Sequence, residues 1–310
     1  MGNLIPKRKI DWWLYSIPSL LIIAVVSYLR VQSRPGFSGV LIFYFAPLII
    51  GFFAIIFIII GIIHSLKNRP FFKPWRIVGF LALILLCFSG VIFNTYPSSY
   101  DEKPSKVKFI LPLDTVITVA WGGSTEKINY HVIDPAEKWA YDLMVTNNGK
   151  SFFGDSTKLD NYYCYGLPIL SPANGKIVNV INNCQDMPIG VLGGDGYPEG
   201  NFITIEVAPN EFLFICHIKP NSIKVKIGDI VSQGQLLGQV GNSGNTSEPH
   251  IHIHLQDRND FIGEAIPLYF HNYITNGKFV AKGIPTGGFD DNMNFIGQEI
   301  QTSKKINLKK

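Results

Sequence analysis

Three histidines alternate with apolar residues in Pro249-His250-Ile251-His252-Ile253-His254-Leu255. Successive side chains of an extended chain point to opposite faces, so this spacing predicts a strand with three imidazoles on one face. Neutral imidazole is a good donor to zinc, and a strand holds donor angles better than a loop does. A half-buried strand with histidine on its polar side has the same pattern, but three of the chain's seven histidines fall here. A catalytic zinc takes three protein ligands and keeps a fourth position open, so other segments must contribute. Upstream, His131 and Asp142 offer an imidazole and a carboxylate. Asp142 lies in an apolar run, where an ionised carboxylate is costly unless it is paired or bound to metal. His217 closes the apolar run 212–216 and reads either as a site group or as a satisfied core histidine.

The elements that must position these residues are short. β-Branched runs at 108–112, 115–121, 175–181, 202–207, 211–218 and 236–240 are separated by Gly, Pro and Asn, which predicts an all-β, mainly antiparallel domain. Further strands are expected at 263–270 and 279–288, and residues 301–310 read as a solvated tail. Within 222–241, glycines recur between β-branched pairs, the rhythm of tight turns. This resembles the hammerhead turns of lipoyl- and biotin-carrier domains, but the lysine those domains display at a hairpin tip is missing.

The first 97 residues are different. The chain is 47% hydrophobic, and most of the excess sits in three runs at about 12–29, 40–63 and 77–95, each near the ~20 residues that cross a bilayer as helix. Lys7, Arg8 and Lys9 precede the first run, and Lys67, Arg69, Lys73 and Arg76 separate the second from the third. Positive residues favour the cytoplasmic side, so the amino terminus is expected inside and everything beyond about residue 97 outside. Trp12, Trp13, Trp75 and Tyr96 stand near the run ends, where interfacial aromatics collect. No ionisable residue lies deep within a run, so this segment (1–97) reads as an anchor rather than an ion pathway. A polar, proline-punctuated linker (98–109) separates it from a domain at 110–270, with completing strands and tail at 271–310. A net charge of +4 without a basic, aromatic-interleaved strip gives no support to nucleic-acid binding.

In order along the chain, His131 with Asp142, Phe214-Ile215-Cys216-His217-Ile218, Gly241-Asn242-Ser243-Gly244 and His250-Ile251-His252 resemble the lysostaphin-type, LytM-like zinc metallopeptidases. Ser171-Pro172-Ala173-Asn174-Gly175-Lys176-Ile177-Val178 is similar to another strand of that family. The resemblance covers about residues 110–260. It implies a LytM-like, barrel-sandwich-type β-domain holding Zn2+ through His131, Asp142 and His252, with His217 and His250 as catalytic residues whose roles are not divided between them. It also implies an integral membrane endopeptidase of the bacterial cell membrane that acts outside on peptide cross-links of peptidoglycan. The alternative is a LytM-like module that binds wall or a partner hydrolase without catalysis. A membrane sensor acting on a protein is a third reading. The family commonly places its first histidine four residues before the aspartate; here His131 stands eleven before Asp142. Asp134 is the fallback ligand, although its place before Pro135 suits a turn. His254 is expected near the ligands or exposed.

Four cysteines without a CxxC pair exclude a zinc ribbon and a thioredoxin-type motif. Cys164 and Cys184 could bridge in an oxidising exterior. Cys216, beside His217, suits packing better than nucleophilic attack, and Cys87 reads as a small apolar residue. The Gly-rich stretch 190–199 is either a wall of a substrate groove or a surface excursion.

Overall fold

The computed structural model describes residues 10–33, 36–93, 95–97, 103–193, 196–290 and 294–303. Lys7, Arg8, Lys9, Arg34, linker residues 98–102, Gly194, Asp195 and the tail from residue 304 lie outside the described residues. The chain divides into two compact units, Met1–Pro97 and Ser98–Lys310.

In the first unit a 3-10 turn, Trp12–Tyr15, leads into α1 (Ser16–Gln32), followed by α2 (Phe37–Lys67) and α3 (Pro74–Cys87). With their adjoining turns the three apolar stretches run 21, 31 and 20 residues, enough to span about 30 Å of hydrocarbon. The third begins at Pro74, ahead of the expected 77, because proline suits the first helical turn, where its missing N–H would have no partner. Trp13 and Tyr96 depart from their expected interfacial role, since both are fully buried. Trp13 stacks on Phe80 at 4.7 Å, and a Cβ on Gly61 or Gly79 would press into it or its neighbour Leu14. Tyr96 packs edge-on to Phe43 at 5.7 Å. Trp12 and Trp75 remain exposed.

The charged groups at the run ends are also organised. Asp11 accepts from Trp75 Nε1 at 2.7 Å and Arg76 Nε at 2.8 Å. Arg76 donates as well to the carbonyls of Asn68 and Pro70, each at 3.0 Å. A guanidinium this buried is tolerated because its donors are met. It ties the start of the unit to the α2–α3 turn.

The second unit is built on an antiparallel sheet. Its strands are β1 (Ile117–Trp121), β2 (Tyr141–Met144), β3 (Pro168–Leu170), β4 (Gly175–Ile181), β5 (Asn201–Ala208), β6 (Glu211–Ile218), β7 (Ile230–Val231), β8 (Leu236–Gln239), β9 (Ile251–Gln256), β10 (Phe270–Thr275), β11 (Lys278–Gly283) and β12 (Glu299–Thr302). Ten form one sheet in the order β11-β10-β12-β1-β2-β9-β6-β5-β4-β7, while β3 pairs with β8. Period-2 alternation decides the faces. Leu143 of β2, Leu213 and Ile215 of β6, Ile203 and Ile205 of β5, and Ile251, Ile253 and Leu255 of β9 enter one core. The residues between them must then lie on the opposite face.

Four expectations are corrected. Residues 108–112 contribute only an isolated bridge at Phe109, and 263–270 only one at Ala265 before β10 begins at Phe270. Gln301 and Thr302, assigned to a solvated tail, belong to β12, which pairs with both β1 and β10. Cys164 carries a free thiol and forms no bridge to Cys184; burial pushes that thiol up to about 12.

Candidate metal centre

The central strands bring the site together by register. Asp142 of β2 and His252 of β9 are directly paired, as are His252 and Cys216 of β6, and His254 and Phe214. Since Leu143 and Ile253 enter the core, Asp142, His252 and His254 share the opposite face. His252 Nδ1 stands 3.0 Å from Asp142 Oδ1.

His131 comes from a one-turn 3-10 helix, Tyr130–Ile133, outside the sheet. Asn129, fully buried, holds that turn in place. Its Oδ1 accepts from the His131 N–H at 3.2 Å and faces His131 Nδ1 at 2.8 Å. Its Nδ2 donates to the carbonyls of Gly123 and Ala140 at 3.0 and 3.1 Å. Because the amide hydrogens go to carbonyls, Oδ1 must be the acceptor, so His131 carries its proton on Nδ1 and presents a bare Nε2. That nitrogen lies 3.7 Å from Asp142 Oδ2. Asn129 is thus what bridges the long interval between His131 and Asp142. Asp134 instead accepts the Ala136 N–H at 2.8 Å, a turn role.

His217 and His250 complete the cluster. His217, next to last in β6, has φ +61, a left-handed conformation rare for a residue with a side chain. Its backbone N–H donates to Glu199 O at 3.0 Å and its carbonyl accepts from Gly241 N at 3.0 Å. Its Nδ1 faces Ser243 O at 2.8 Å. His250 Nδ1 likewise faces Glu248 O at 2.7 Å, and its Nε2 lies 3.5 Å from Asp142 Oδ1. A carbonyl only accepts, so both rings carry the proton on Nδ1 and, when neutral, offer Nε2 as a base. The two rings are 4.8 Å apart, centre to centre.

The electrostatics follow from burying one anion among imidazoles. Burial by itself would raise Asp142, but His131 and His250 beside it hold its carboxyl well below the usual range. Burial drives His131 down to about 3 and His217 well below an ordinary imidazole. For His252, Glu137 and Asp142 overcome burial and raise it to about 9. The metal-free cluster therefore holds a cationic His252 against an anionic Asp142.

The donors fit a metal ion. Zinc–ligand arms of ~2.0–2.2 Å place tetrahedral donors roughly 3.4 Å apart; His252 Nδ1 is 3.0 Å from Asp142 Oδ1 and His131 Nε2 is 3.7 Å from Asp142 Oδ2. Donor atoms of His131, Glu137 and His252 also lie within 4.8 Å of one another. Glu137, unforeseen in the sequence, stands 3.9 Å from His252 Nε2. It lines a cavity of about 150 Å³ together with Tyr130, His131, Glu199, His217 and His252. At ~30 Å³ per water, that space holds a few waters or one small substrate group. The structure gathers all five expected site residues, and Pro198 and Glu199, from the Gly-rich stretch, line the cavity.

An antiparallel β-domain with a buried histidine–carboxylate cluster at a cleft is a candidate metal-binding domain. Residues 157–263 match the model of peptidase family M23, so this chain carries an M23 peptidase domain. The matched span contains His217, His250 and His252, while His131 and Asp142 precede it. Among solved structures, a zinc-containing peptidase from Vibrio cholerae is similar at 20% identity and TM-score 0.33, over 52% of this chain and 40% of that one. The catalytic domain of lysostaphin from Staphylococcus simulans aligns at 19% identity and TM-score 0.29, over 48% and 86%. The deep-sea M23 metalloprotease pseudoalterin aligns at 16% identity and TM-score 0.35, over 62% and 91%. No curated protein matches.

Proposed function

We propose that this chain is a membrane-anchored zinc endopeptidase that cuts peptide cross-links of peptidoglycan on the outer side of the bacterial membrane. The observation that carries the reading is the direct pairing of Asp142 with His252, with His131 held beside them by Asn129. In this reading His131, Asp142 and His252 hold the ion. Zinc supplies Lewis acidity, polarising an amide carbonyl and lowering the pKa of water to ~7. His217 and His250, each with Nδ1–H tied to a carbonyl, present Nε2 toward the cleft. One, neutral, takes a proton from the attacking water and returns it to the departing amine, while the other, protonated on Nε2 as well, donates to the developing oxyanion. Their rings cannot turn away without losing those anchors. The three apolar helices support an anchor, and Lys67, Arg69 and Lys73 at the α2–α3 turn support placing that turn in the cytoplasm.

The test uses the purified full-length chain in detergent, its zinc content and its digestion of muropeptides. His250→Ala should keep one zinc and lose at least about a hundredfold in hydrolysis, whereas His252→Ala should lose both. Equal zinc in all three proteins contradicts the ligand assignment. Zinc binding without hydrolysis by the wild type contradicts the endopeptidase.

A further inference from the structure

The cleft beside the histidine cluster contains two carboxylates that the endopeptidase chemistry does not use. Glu137 and Glu199 both line the cavity of about 150 Å³ that His131, His217 and His252 also line, and no lysine or arginine lines it with them. Glu199 Oε2 is buried and has no hydrogen-bond partner. Protonating the group does not mend this, because a neutral carboxyl at that position still leaves the oxygen without a partner. Nor can the backbone readily carry it elsewhere. The Glu199 carbonyl accepts the His217 N–H at 3.0 Å, and Gly200, the next residue, is wedged against Ser243.

Glu137 is the second carboxylate. Its side chain is 34% exposed and stands 3.9 Å from His252 Nε2, beyond hydrogen-bond reach, and its carboxylate accepts no hydrogen bond among the described residues. Tyr130, its ring tilted over His131 at 3.9 Å, adds an aromatic wall. A buried acceptor without a donor is destabilising until one arrives. Two anions facing one small space ask for a donor that is also a cation. A primary ammonium has three N–H donors, no acceptor and a compact head that fits where a few waters fit. An aromatic wall favours the same charge.

We propose that Glu137 and Glu199 form a subsite for a primary ammonium group of the substrate, so that the chain prefers cross-links carrying a free amine beside the scissile bond. Resting on the endopeptidase reading above, this names the charge of the substrate at that site. Glu199 is the principal specificity residue, because its buried oxygen has no other partner, and Glu137 supplies the second contact. A substrate carboxylate in the same place would bring a third anion into the cavity and is rejected.

The experiment uses the full-length, zinc-loaded chain in detergent with a cross-linked muropeptide dimer that has free amino groups, beside the same dimer after N-acetylation. The wild type should lose at least about tenfold in kcat/KM on the acetylated dimer, the scale of one hydrogen bond to a charged group. In Glu199→Gln and in Glu137→Gln that ratio should shrink to within about threefold, because an amide offers the ammonium no opposite charge. A loss caused by the bulk of the acetyl group would persist in both variants, so an unchanged ratio in them overturns the subsite. A wild type that cuts both dimers equally also overturns it, while leaving the endopeptidase reading intact. If the wild type cuts neither, that reading fails and calorimetric Kd values for the two dimers decide the subsite. Binding of the free amine at least about tenfold tighter supports it, and equal binding overturns it. If Glu199→Gln does not fold, Glu137→Gln carries the comparison.

Discussion

The ring of His252 in the metal-free cluster is held protonated, and an ion bound to that ring would displace the proton. Its value of about 9 stands above the ordinary 6.5 because Glu137 and Asp142 outweigh burial. That proton therefore stabilises the metal-free protein fully below about 6.5, and the contribution is lost as pH rises through about 9. Zinc competes with the same proton, so affinity should rise by up to about tenfold per pH unit until about pH 9 and then level off. Titration calorimetry in buffers of different ionisation enthalpy should find about one proton released per zinc near pH 7. No release would place the ion on a group already deprotonated. His131, driven to about 3, contributes none. The residues themselves were legible because strand alternation and the Gly-Asn-Ser-Gly stretch lie on the surface of the sequence. Glu137 and Asn129 were not, since nothing in their local pattern announces a position set by a 3-10 turn and two distant carbonyls.

At the scale of elements, the two loops behind His217 and His250 are interlocked. Gly200 has φ +61, and a Cβ there would lie 2.2 Å from Ser243 O, the carbonyl that orients His217. A Cβ on Gly244 would lie 2.3 Å from Gly200 N. On both sides the nearest atoms are backbone, which cannot swing aside as a flexible side chain can. Gly200→Ala should cost about 2–4 kcal/mol, combining left-handed strain with this clash, and should displace His217. Gly190→Ala, at φ +74 with open space around its Cβ, should cost only the strain, about 1–2 kcal/mol. Thermal midpoints and muropeptide hydrolysis separate the two, and equal losses would contradict the interlock. The turn rhythm of glycines was readable in sequence. Their role as points of close approach was not, because it depends on which loops meet.

For the whole molecule, three apolar helices and an antiparallel β-domain were both expected from hydropathy and periodicity, which depend on solvent and strand geometry and not on distant contacts. What sequence placed wrongly were residues whose surroundings are tertiary. Trp13 and Tyr96 looked interfacial but fill the helix bundle, and Gln301 looked like tail but pairs in the sheet. Orientation is testable in intact spheroplasts carrying a tag at each end of the chain. Added protease should remove the carboxy-terminal tag and spare the amino-terminal one; the reverse pattern would put the M23 domain in the cytoplasm, away from peptidoglycan.

Asp142 is the group on which the centre depends, lying within reach of three imidazoles. The most direct measurement is the zinc bound per full-length chain, wild type beside Asp142→Ala, after dialysis against a weak chelator. The wild type should hold one equivalent and the variant essentially none. Equal zinc in the two would show that the ion, if it binds, sits elsewhere.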